Sequence, residues 1–175
     1  MIDGEPMKPM QPERRPATRA EARALAHPLR LRILRLCLDE ALTNREIADR
    51  LGQEPATTLY HVRTLTRTEF LRREPERRGR RGARELPYRA TRKSWTLDLG
   101  PDSTGQLAMI DAVRGELADA GPDAVLTLSR LGVRLRPDQI EELERRLVEI
   151  INAAVEDDDV AGEPVGLLIA LHRRG

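Results

Sequence analysis

The chain has 175 residues, of which 39% are hydrophobic and 34% are charged, and its formal net charge is +1. This length and balance fit a soluble globular protein of one domain or of two small ones. The single cysteine, Cys37, excludes an intramolecular disulfide and suits a reducing compartment, and no stretch approaches the roughly 20 apolar residues of a membrane span. We therefore expect a cytoplasmic protein.

The distribution of charged residues along the chain is more informative about partners than the net charge. Between Arg72 and Lys93, ten basic residues stand against three acidic ones, whereas between Asp138 and Glu163 ten acidic residues stand against two basic ones. The first of these segments is therefore suited to an anionic partner and the second is not.

The N-terminal third begins with a proline-rich segment and continues as helices. Residues 1–17 contain four prolines and few apolar side chains, which predicts a disordered leader, with an arm that contacts phosphates as the alternative. A helical pattern runs from about Thr18 to Ala26, and a second helix begins at His27-Pro28, because proline suits the first turn of a helix. We expect this second helix to end near Asp39, with its arginines (Arg30, Arg32 and Arg35) on the outside.

A helix-turn-helix is predicted next. Thr43 and Glu46 have the spacing of a capping box, in which each side chain satisfies a free backbone amide of the other residue. Gly52 is placed to end this short helix in a left-handed conformation, and Pro55 begins another helix that continues to about Thr68. Two helices joined by a glycine-containing turn form the motif.

A β-hairpin, or wing, is expected after the second helix of the motif. Residues 70–74 and 85–90 are predicted strands, and a basic loop with two glycines lies between them. Pro87 cannot donate a ladder hydrogen bond, which suggests an edge position or a bulge.

The second half is predicted to form a smaller region. We place a boundary near Gly100-Pro101, a helix at 104–120, an extended segment at 125–135, a long helix from Pro137 and a final strand at 165–171. The resulting fold class is α+β and mainly α. It comprises a leader (1–17), a winged helix-turn-helix domain (18–99), and a C-terminal helical or αβ region (100–175) in which two strands form a small sheet with one helix packed on it.

The helix at 55–68 carries the surface that would read DNA. At 100° per residue, Leu59, Val62 and Leu65 fall on one side. The other side is polar and has no acid; it presents Thr57, Tyr60, Thr64 and Arg67, flanked by His61 and Arg63. Such a helix can contact base edges or phosphates in a major groove, and the alternative is an ordinary solvated helix face.

Two further groups of residues are expected to contact the DNA backbone. The wing arginines, which can reach phosphates or a minor groove, are Arg77, Arg78, Arg80, Arg81 and Arg84. Their alternative role is to keep a surface loop soluble. Thr43, Asn44 and Arg45 lie at a helix N-terminus, where a phosphate would fix the register of the protein on DNA.

Three segments resemble the arsenic-repressor-like (ArsR-like) family of winged helix-turn-helix regulators. They are Ala-Leu-Ala-His-Pro-Leu-Arg-Leu-Arg-Ile-Leu (24–34), Thr-Asn-Arg-Glu-Ile-Ala (43–48) and Thr-Leu-Tyr-His-Val-Arg-Thr-Leu (58–65). The resemblance implies a homodimer that binds double-stranded DNA at a palindromic site. It also places Thr57, Thr58, Tyr60, His61, Arg63 and Thr64 on the DNA-reading helix.

The sequence departs from that family at two places. Members have a glycine before the first wing strand, where this chain has Glu69, so the turn into the wing is expected to differ. The metal-sensing members carry a pair of cysteines in the motif, whereas this chain has only Cys37, which we interpret as a small buried hydrophobic residue. We therefore expect a member that does not sense metals, with no cofactor.

Several functions stay open at this stage. The C-terminal region can dimerise through the helix at 104–120, or can enclose a small-molecule effector between its sheet and helix. A winged helix can also serve as a protein-interaction module. The sequence contains no Ser/His/Asp or Cys/His arrangement, so it offers no candidate catalytic set. We favour the hypothesis that the protein is a DNA-binding repressor.

Overall fold

The computed structural model describes residues 14–79, 82–100, 103–159 and 161–173. The chain divides into two compact units between Leu126 and Thr127. The described residues are mainly helical, with short strands, which confirms the predicted α+β class.

The first unit holds five α-helices and seven short strands among its described residues, besides two short 3-10 helices at Lys93–Thr96 and Pro122–Ala124. The helices are α1 (Arg19–Leu25), α2 (Pro28–Asp39), α3 (Asn44–Leu51), α4 (Pro55–Arg67) and α5 (Ser103–Ala120). The strands are β1 (Arg15–Pro16), β2 (Leu42–Thr43), β3 (Leu71–Arg73), β4 (Arg77–Arg78), β5 (Arg84–Glu85), β6 (Pro87–Ala90) and β7 (Leu97–Asp98).

Three of these strands form an antiparallel sheet in the order β2-β6-β3, and β4 pairs with β5 in a separate hairpin. The strand β6 is therefore central, so Pro87 does not lie at an edge. The other expectation, a bulge, agrees with the register: Tyr88 pairs with Arg73 and Glu85 pairs with Arg77, so three residues of one strand stand opposite two of the other. Pro87 is the first residue of β6, so its missing N–H falls at the end of the ladder. Its carbonyl still accepts a hydrogen bond from the Glu74 N–H at 2.9 Å.

The helix boundaries follow local capping chemistry. The Thr43 hydroxyl accepts a hydrogen bond from the Glu46 N–H, and the Glu46 carboxylate accepts one from the Thr43 N–H, which confirms the predicted capping box. Gly52 ends α3 with φ at 60°, as predicted. A second capping box, formed by Thr18 and Glu21, begins α1.

The hydrophobic core lies where α2, α3, α4 and the three-stranded sheet meet. Its largest fully buried apolar side chains are Phe70, Ile33, Leu42, Ile47, Leu65, Leu71, Val62 and Cys37. Arg30 was expected on the outside of α2, but it is buried. Its guanidinium donates to the carbonyls of Ala24 at 2.5 Å and Arg23 at 2.7 Å, and so satisfies the free carbonyls at the end of α1.

Part of the predicted leader is structured. Its residues 1–13 lie outside the described residues, but β1 pairs in parallel with β7, and the Ala17 N–H donates to the Asp98 carbonyl at 2.8 Å. Arg15 also forms an ion pair with the buried carboxylate of Glu21 at 2.6 Å. These contacts order residues 15–17, because they give the backbone groups of this segment hydrogen-bond partners. The proline-rich composition did not indicate such partners.

The boundary between the units also differs from the one predicted near residue 100. The helix α5 belongs to the first unit, where Ala108 and Ala112 are buried and where α5 packs on α2. Gly115 allows this close approach, since a Cβ there would lie 3.3 Å from Cδ of Arg32.

The second unit contains α6 (Pro137–Glu156). Neither of the predicted segments 125–135 and 165–171 is a strand, and of the described residues after 126 none is buried. An apolar pattern of this kind does not make a strand by itself, because a strand also needs a regular ladder of hydrogen bonds with a neighbouring backbone. In the described part of the second unit, no sheet accompanies α6, so the predicted arrangement of a sheet and a helix around an effector is not seen there.

Candidate nucleic-acid interface

The orientation of α4 is fixed at its start and along one face. The side-chain amide of Asn44, the first residue of α3, donates to the Pro55 carbonyl at 2.9 Å and so joins the two helices of the motif. Along α4, the buried residues are Thr58, His61, Val62 and Leu65. These positions recur at helical spacing and press one side of the helix into the core.

The opposite face of α4 is exposed and carries no acid. Thr57, Tyr60, Arg63 and Arg67 are exposed, with Tyr60 at 66%. Thr64 is half-buried, and its hydroxyl donates to the Tyr60 carbonyl at 3.0 Å, so part of its hydrogen-bonding capacity is used within the helix. This face offers a phenol, two guanidinium groups and a hydroxyl to a partner.

Thr58 and His61 do not lie on this face, which corrects their expected exposure. Thr58 is 0% exposed and His61 is 6% exposed. Leu59, which was assigned to the buried side, is only half-buried. Val62 and Leu65 are buried as predicted, so the buried stripe of α4 is rotated by only about 50°, half a residue step, from the one that its apolar residues indicate.

His61 packs against His27, the residue that caps α2. Their ring centroids lie 4.5 Å apart, and the His27 Nδ1 accepts a hydrogen bond from the Leu29 N–H at 3.2 Å. Burial, together with the charges of His27 and Arg30, lowers the pKa of His61 to about 4. Burial and the Arg30 charge also lower the pKa of His27. His61 is therefore neutral at pH 7 and acts as a support for α4 rather than as a surface group.

The three residues predicted to hold a phosphate at the start of α3 have different surroundings. Thr43 is buried, and its hydroxyl already accepts the capping hydrogen bond. Asn44 is half-buried, and its amide is directed to Pro55. Arg45 is exposed, so it is the best placed of the three to reach a phosphate.

The wing arginines also separate into different groups. Arg77 forms ion pairs with Glu46 at 2.6 Å and with Glu85 at 3.2 Å, which ties the wing to α3. Arg78 is exposed, and so is Arg84, whose contact with Glu76 is a long 3.5 Å. Arg80 and Arg81 lie outside the described residues.

Glu46 is a functional residue whose second role the sequence did not reveal. Burial alone would raise its pKa, but hydrogen bonds from Thr43 and the Arg77 guanidinium outweigh that effect, so that the pKa of Glu46 is lowered. One carboxylate thus begins α3 and also holds the wing. The capping spacing showed the first role; the second depends on a contact across 31 residues, for which no local signal exists.

Other kinds of site have little support in the described part of the chain. No group of three potential metal ligands occurs there, and no helix there is both long and apolar enough to cross a bilayer. Cys37 is buried, and that burial raises the pKa of its thiol to about 12. The thiol is therefore a poor nucleophile and a poor metal ligand.

Comparison with known proteins agrees with the motif. Residues 25–74 match the model of a helix-turn-helix domain. Among solved structures, the chain is similar to a transcriptional regulator, SlyA, with 18% identity over 74% of this chain and 75% of that chain and a TM-score of 0.31. No curated protein matches. The helix-turn-helix domain is confirmed by the first match, whereas membership of the ArsR-like family stays a prediction.

Proposed function

We propose that this helix-turn-helix protein is a sequence-specific DNA-binding regulator of transcription, that it acts as a repressor in the cytoplasm, and that α4 enters the major groove. The observation that carries the proposal is the exposed face of α4, where Thr57, Tyr60, Arg63 and Arg67 lie together without an acidic side chain. Arginine and hydroxyl side chains on such a helix can form hydrogen bonds with base edges.

The remaining contacts are assigned to the backbone of the duplex. Arg45 lies at the start of α3, where backbone N–H groups and the helix dipole also favour a phosphate. Arg78 and Arg84, together with Arg80 and Arg81, which lie between them in the sequence, would contact phosphates or a minor groove. Arg77 is assigned to holding the wing, because its charge is already matched by Glu46 and Glu85.

We further propose a homodimer that pairs through α5. While Ala108 and Ala112 face α2, Leu107, Ile110 and Leu117 are exposed at spacings of three and seven residues. A second copy of the same face can cover them, since two-fold interfaces are self-complementary. Two copies of α4 would then contact half-sites about 34 Å apart, one turn of DNA.

A protein-interaction module is the alternative, and α4 distinguishes the two. Such a module would present an apolar patch on the exposed face. On that face of α4, only the aromatic ring of Tyr60 is a large apolar surface, and it ends in a hydroxyl. We propose no catalytic role.

Fluorescence anisotropy tests the proposal. The full-length protein is titrated against a duplex from its own upstream region and against a scrambled duplex, at several salt concentrations. We expect a clear preference for the native duplex and an affinity that falls steeply with salt. Arg63→Ala should remove most of the preference, whereas Arg19→Ala, at an exposed arginine on α1, should leave it unchanged. Equal and weak binding to both duplexes would contradict the proposal.

A further inference from the structure

The wing hairpin presents two faces with different charges. In the register of β4 and β5, Arg77 stands opposite Glu85, and the next pair is Arg78 opposite Arg84. Because successive side chains of a strand point to opposite faces, the two pairs lie on different sides of the hairpin. The side of Arg77 is the inner face, since its guanidinium also contacts Glu46 of α3. The side that carries the two opposed arginines is the outer face.

The two faces differ in how their charges are matched. On the inner face, the Arg77 Nε lies 3.2 Å from a carboxylate oxygen of Glu85. On the outer face, two guanidinium groups extend from residues that stand directly opposite each other, and the Cβ atoms of such a pair are about 4.5–5.5 Å apart. Like charges in this arrangement destabilise a hairpin. An anion between the two side chains would remove the repulsion and would be held from both sides.

Glu76 offsets only part of the charge on the outer face. Its carboxylate lies 3.5 Å from the guanidinium of Arg84, and the two side chains are 55% and 87% exposed. A long contact between such exposed groups contributes little, because water and salt screen it. Glu76, Arg78, Gly82 and Arg84 are among the residues that line one open hollow of about 450 Å³. A phosphate in this hollow would lie within reach of both arginines and beside the carboxylate.

We propose that the outer face binds one phosphate group of the DNA backbone, that Arg78 and Arg84 hold this phosphate together, and that Glu76 competes with it. A guanidinium can form two parallel hydrogen bonds with a phosphate, which makes arginine suited to such a site. In the free protein the Glu76 carboxylate lies beside Arg84, and in the complex the phosphate takes its place. The inference rests on the proposed DNA-binding function. It adds that two wing arginines share one phosphate and that an acidic residue weakens the contact.

Salt dependence tests whether the two arginines share one phosphate. The affinity of the full-length protein for its upstream duplex is measured at several salt concentrations for Arg78→Ala, for Arg84→Ala and for the double variant. Because both arginines are needed to hold the phosphate, each single variant should lower the slope of log affinity against log salt by about one, and the double variant should lower it no further. Affinity should fall about tenfold in each single variant and by less than about twofold more in the double variant.

A matched control combines Arg84→Ala with Arg45→Ala. Arg45 is exposed at the start of α3 and is assigned to a different phosphate, so this double variant should lower the slope by about two. Thermal unfolding checks the fold of the wing variants. Arg78 and Arg84 are exposed, and removing either one relieves the repulsion, so the midpoint should not fall. If the slope of Arg78→Ala/Arg84→Ala also falls by about two, the arginines contact separate phosphates and the shared site is wrong.

Neutral phosphate analogues give an independent test. A set of duplexes is made in which a methylphosphonate replaces one phosphate at a time. At one position, the wild type, Arg78→Ala and Arg84→Ala should bind with the same affinity, because the charge that both arginines contact is gone. If the two substitutions lose their effect at different positions, or at none, the shared site is wrong.

The role of Glu76 is tested with Glu76→Gln, which keeps the size of the side chain and removes its charge. In the wild-type background this change should tighten DNA binding about threefold, because Arg84 no longer has a competing carboxylate. In the Arg84→Ala background it should have no effect. The same gain in both backgrounds would show that Glu76 acts through long-range repulsion of DNA, and the proposed competition would be wrong.

Free phosphate compounds are the other possible source of the bound group. Inorganic phosphate and pyrophosphate are titrated by calorimetry into the full-length protein without DNA, and we expect at most weak binding. Tight binding that Arg78→Ala abolishes would assign the outer face to a free phosphate compound and would overturn the proposal. A wild type without salt-dependent binding to any duplex would overturn the DNA-binding function and this site together, whereas failure of the shared site alone leaves that function standing.

Discussion

The guanidinium of Arg77, in the wing, lies 2.6 and 2.7 Å from the two carboxylate oxygens of Glu46, the capping residue of α3. This contact connects the two parts of the candidate interface, α3 and the wing. It also neutralises one of the basic residues of the wing. Arg77 is therefore expected to act on DNA affinity through the position of the wing.

Salt dependence distinguishes Arg77 from its neighbour Arg78. Arg78→Ala removes an exposed cation and should reduce the slope of log affinity against log salt by about one, because each phosphate contact releases counterions. Arg77→Ala should weaken binding with a smaller change in slope, since its charge is already paired. Anisotropy titrations at four salt concentrations measure both. Equal slope changes would show that Arg77 contacts phosphate directly.

A double-mutant cycle tests the same pair. Glu46→Gln keeps a capping residue, because glutamine also serves in a capping box, but it weakens the ion pair with Arg77. The effects of Glu46→Gln and Arg77→Ala on DNA affinity should not add, whereas those of Glu46→Gln and Arg78→Ala should add within about 0.5 kcal/mol. Additive effects in both cycles would contradict a positioning role for the pair.

The exposed face of α4 should control sequence preference. Arg63→Ala is expected to reduce discrimination between the correct base pair and a substituted one by about 1–3 kcal/mol, because a base contact is lost. Arg84→Ala, on the wing, should weaken binding to every duplex by the same factor and so leave the discrimination between duplexes unchanged. Affinities for a set of single-base variants of the site measure this. A uniform loss with Arg63→Ala would assign that residue to the backbone.

The buried His61 should make stability depend on pH. Its pKa is lowered to about 4 in the folded chain, whereas a histidine in the unfolded chain titrates near pH 6.5. Between these values the unfolded chain binds more protons, so the contribution of His61 is complete above pH 6.5 and is lost as the pH falls towards 4. Urea unfolding at pH 7.5, 5.5 and 4.5 measures the effect.

The control for these unfolding measurements is His61→Phe, which keeps an aromatic ring in the core and removes the ionisable group. We expect the free energy of unfolding to fall less steeply with decreasing pH in this variant than in the wild type. His27 also has a lowered pKa, so some pH dependence should remain. Identical pH profiles for the two proteins would show that His61 does not titrate in this range.

The turn from α4 into the wing contains a strained residue. Glu69 has φ at 61°, a left-handed conformation that favours glycine, and its exposed carboxylate pairs with Lys93 at 3.0 Å. Glu69→Gly should therefore stabilise the fold by about 1 kcal/mol, because the loss of the exposed ion pair is small. Glu69→Ala loses the same carboxylate but keeps the Cβ, so it should give no such gain. Thermal unfolding compares the two variants, and equal stabilities would argue against strain.

This turn bears on one expectation from the sequence. The absence of glycine before β3 suggested a different turn, and the backbone at that position adopts, with Glu69, a left-handed conformation that glycine favours. The Phe70 N–H donates to the Leu65 carbonyl at 2.9 Å, which closes the end of α4. The buried Phe70 and Leu71, which follow at once, fix the direction of the chain more strongly than the preference of one residue.

The sequence by itself determined the helix-turn-helix, because its signals are local. Each of these signals acts within one or two helical turns, so it can be recognised from the order of residues alone. They are the capping pair Thr43 and Glu46, Gly52 at the end of α3 and Pro55 at the start of α4. The wing was also found from its glycine-containing basic loop, although its strands β3 and β6 are shorter than the predicted segments.

The tertiary structure decided which side of α4 is exposed, what Arg77 binds and whether the apolar tail segments are strands. Thr58 and His61 are polar, yet they are buried because α2 and its capping residue His27 lie against that side of the helix. In the same way, an alternating apolar segment becomes a strand only when another backbone pairs with it. These outcomes depend on contacts between residues far apart in the chain, and residue type and local spacing do not specify such contacts.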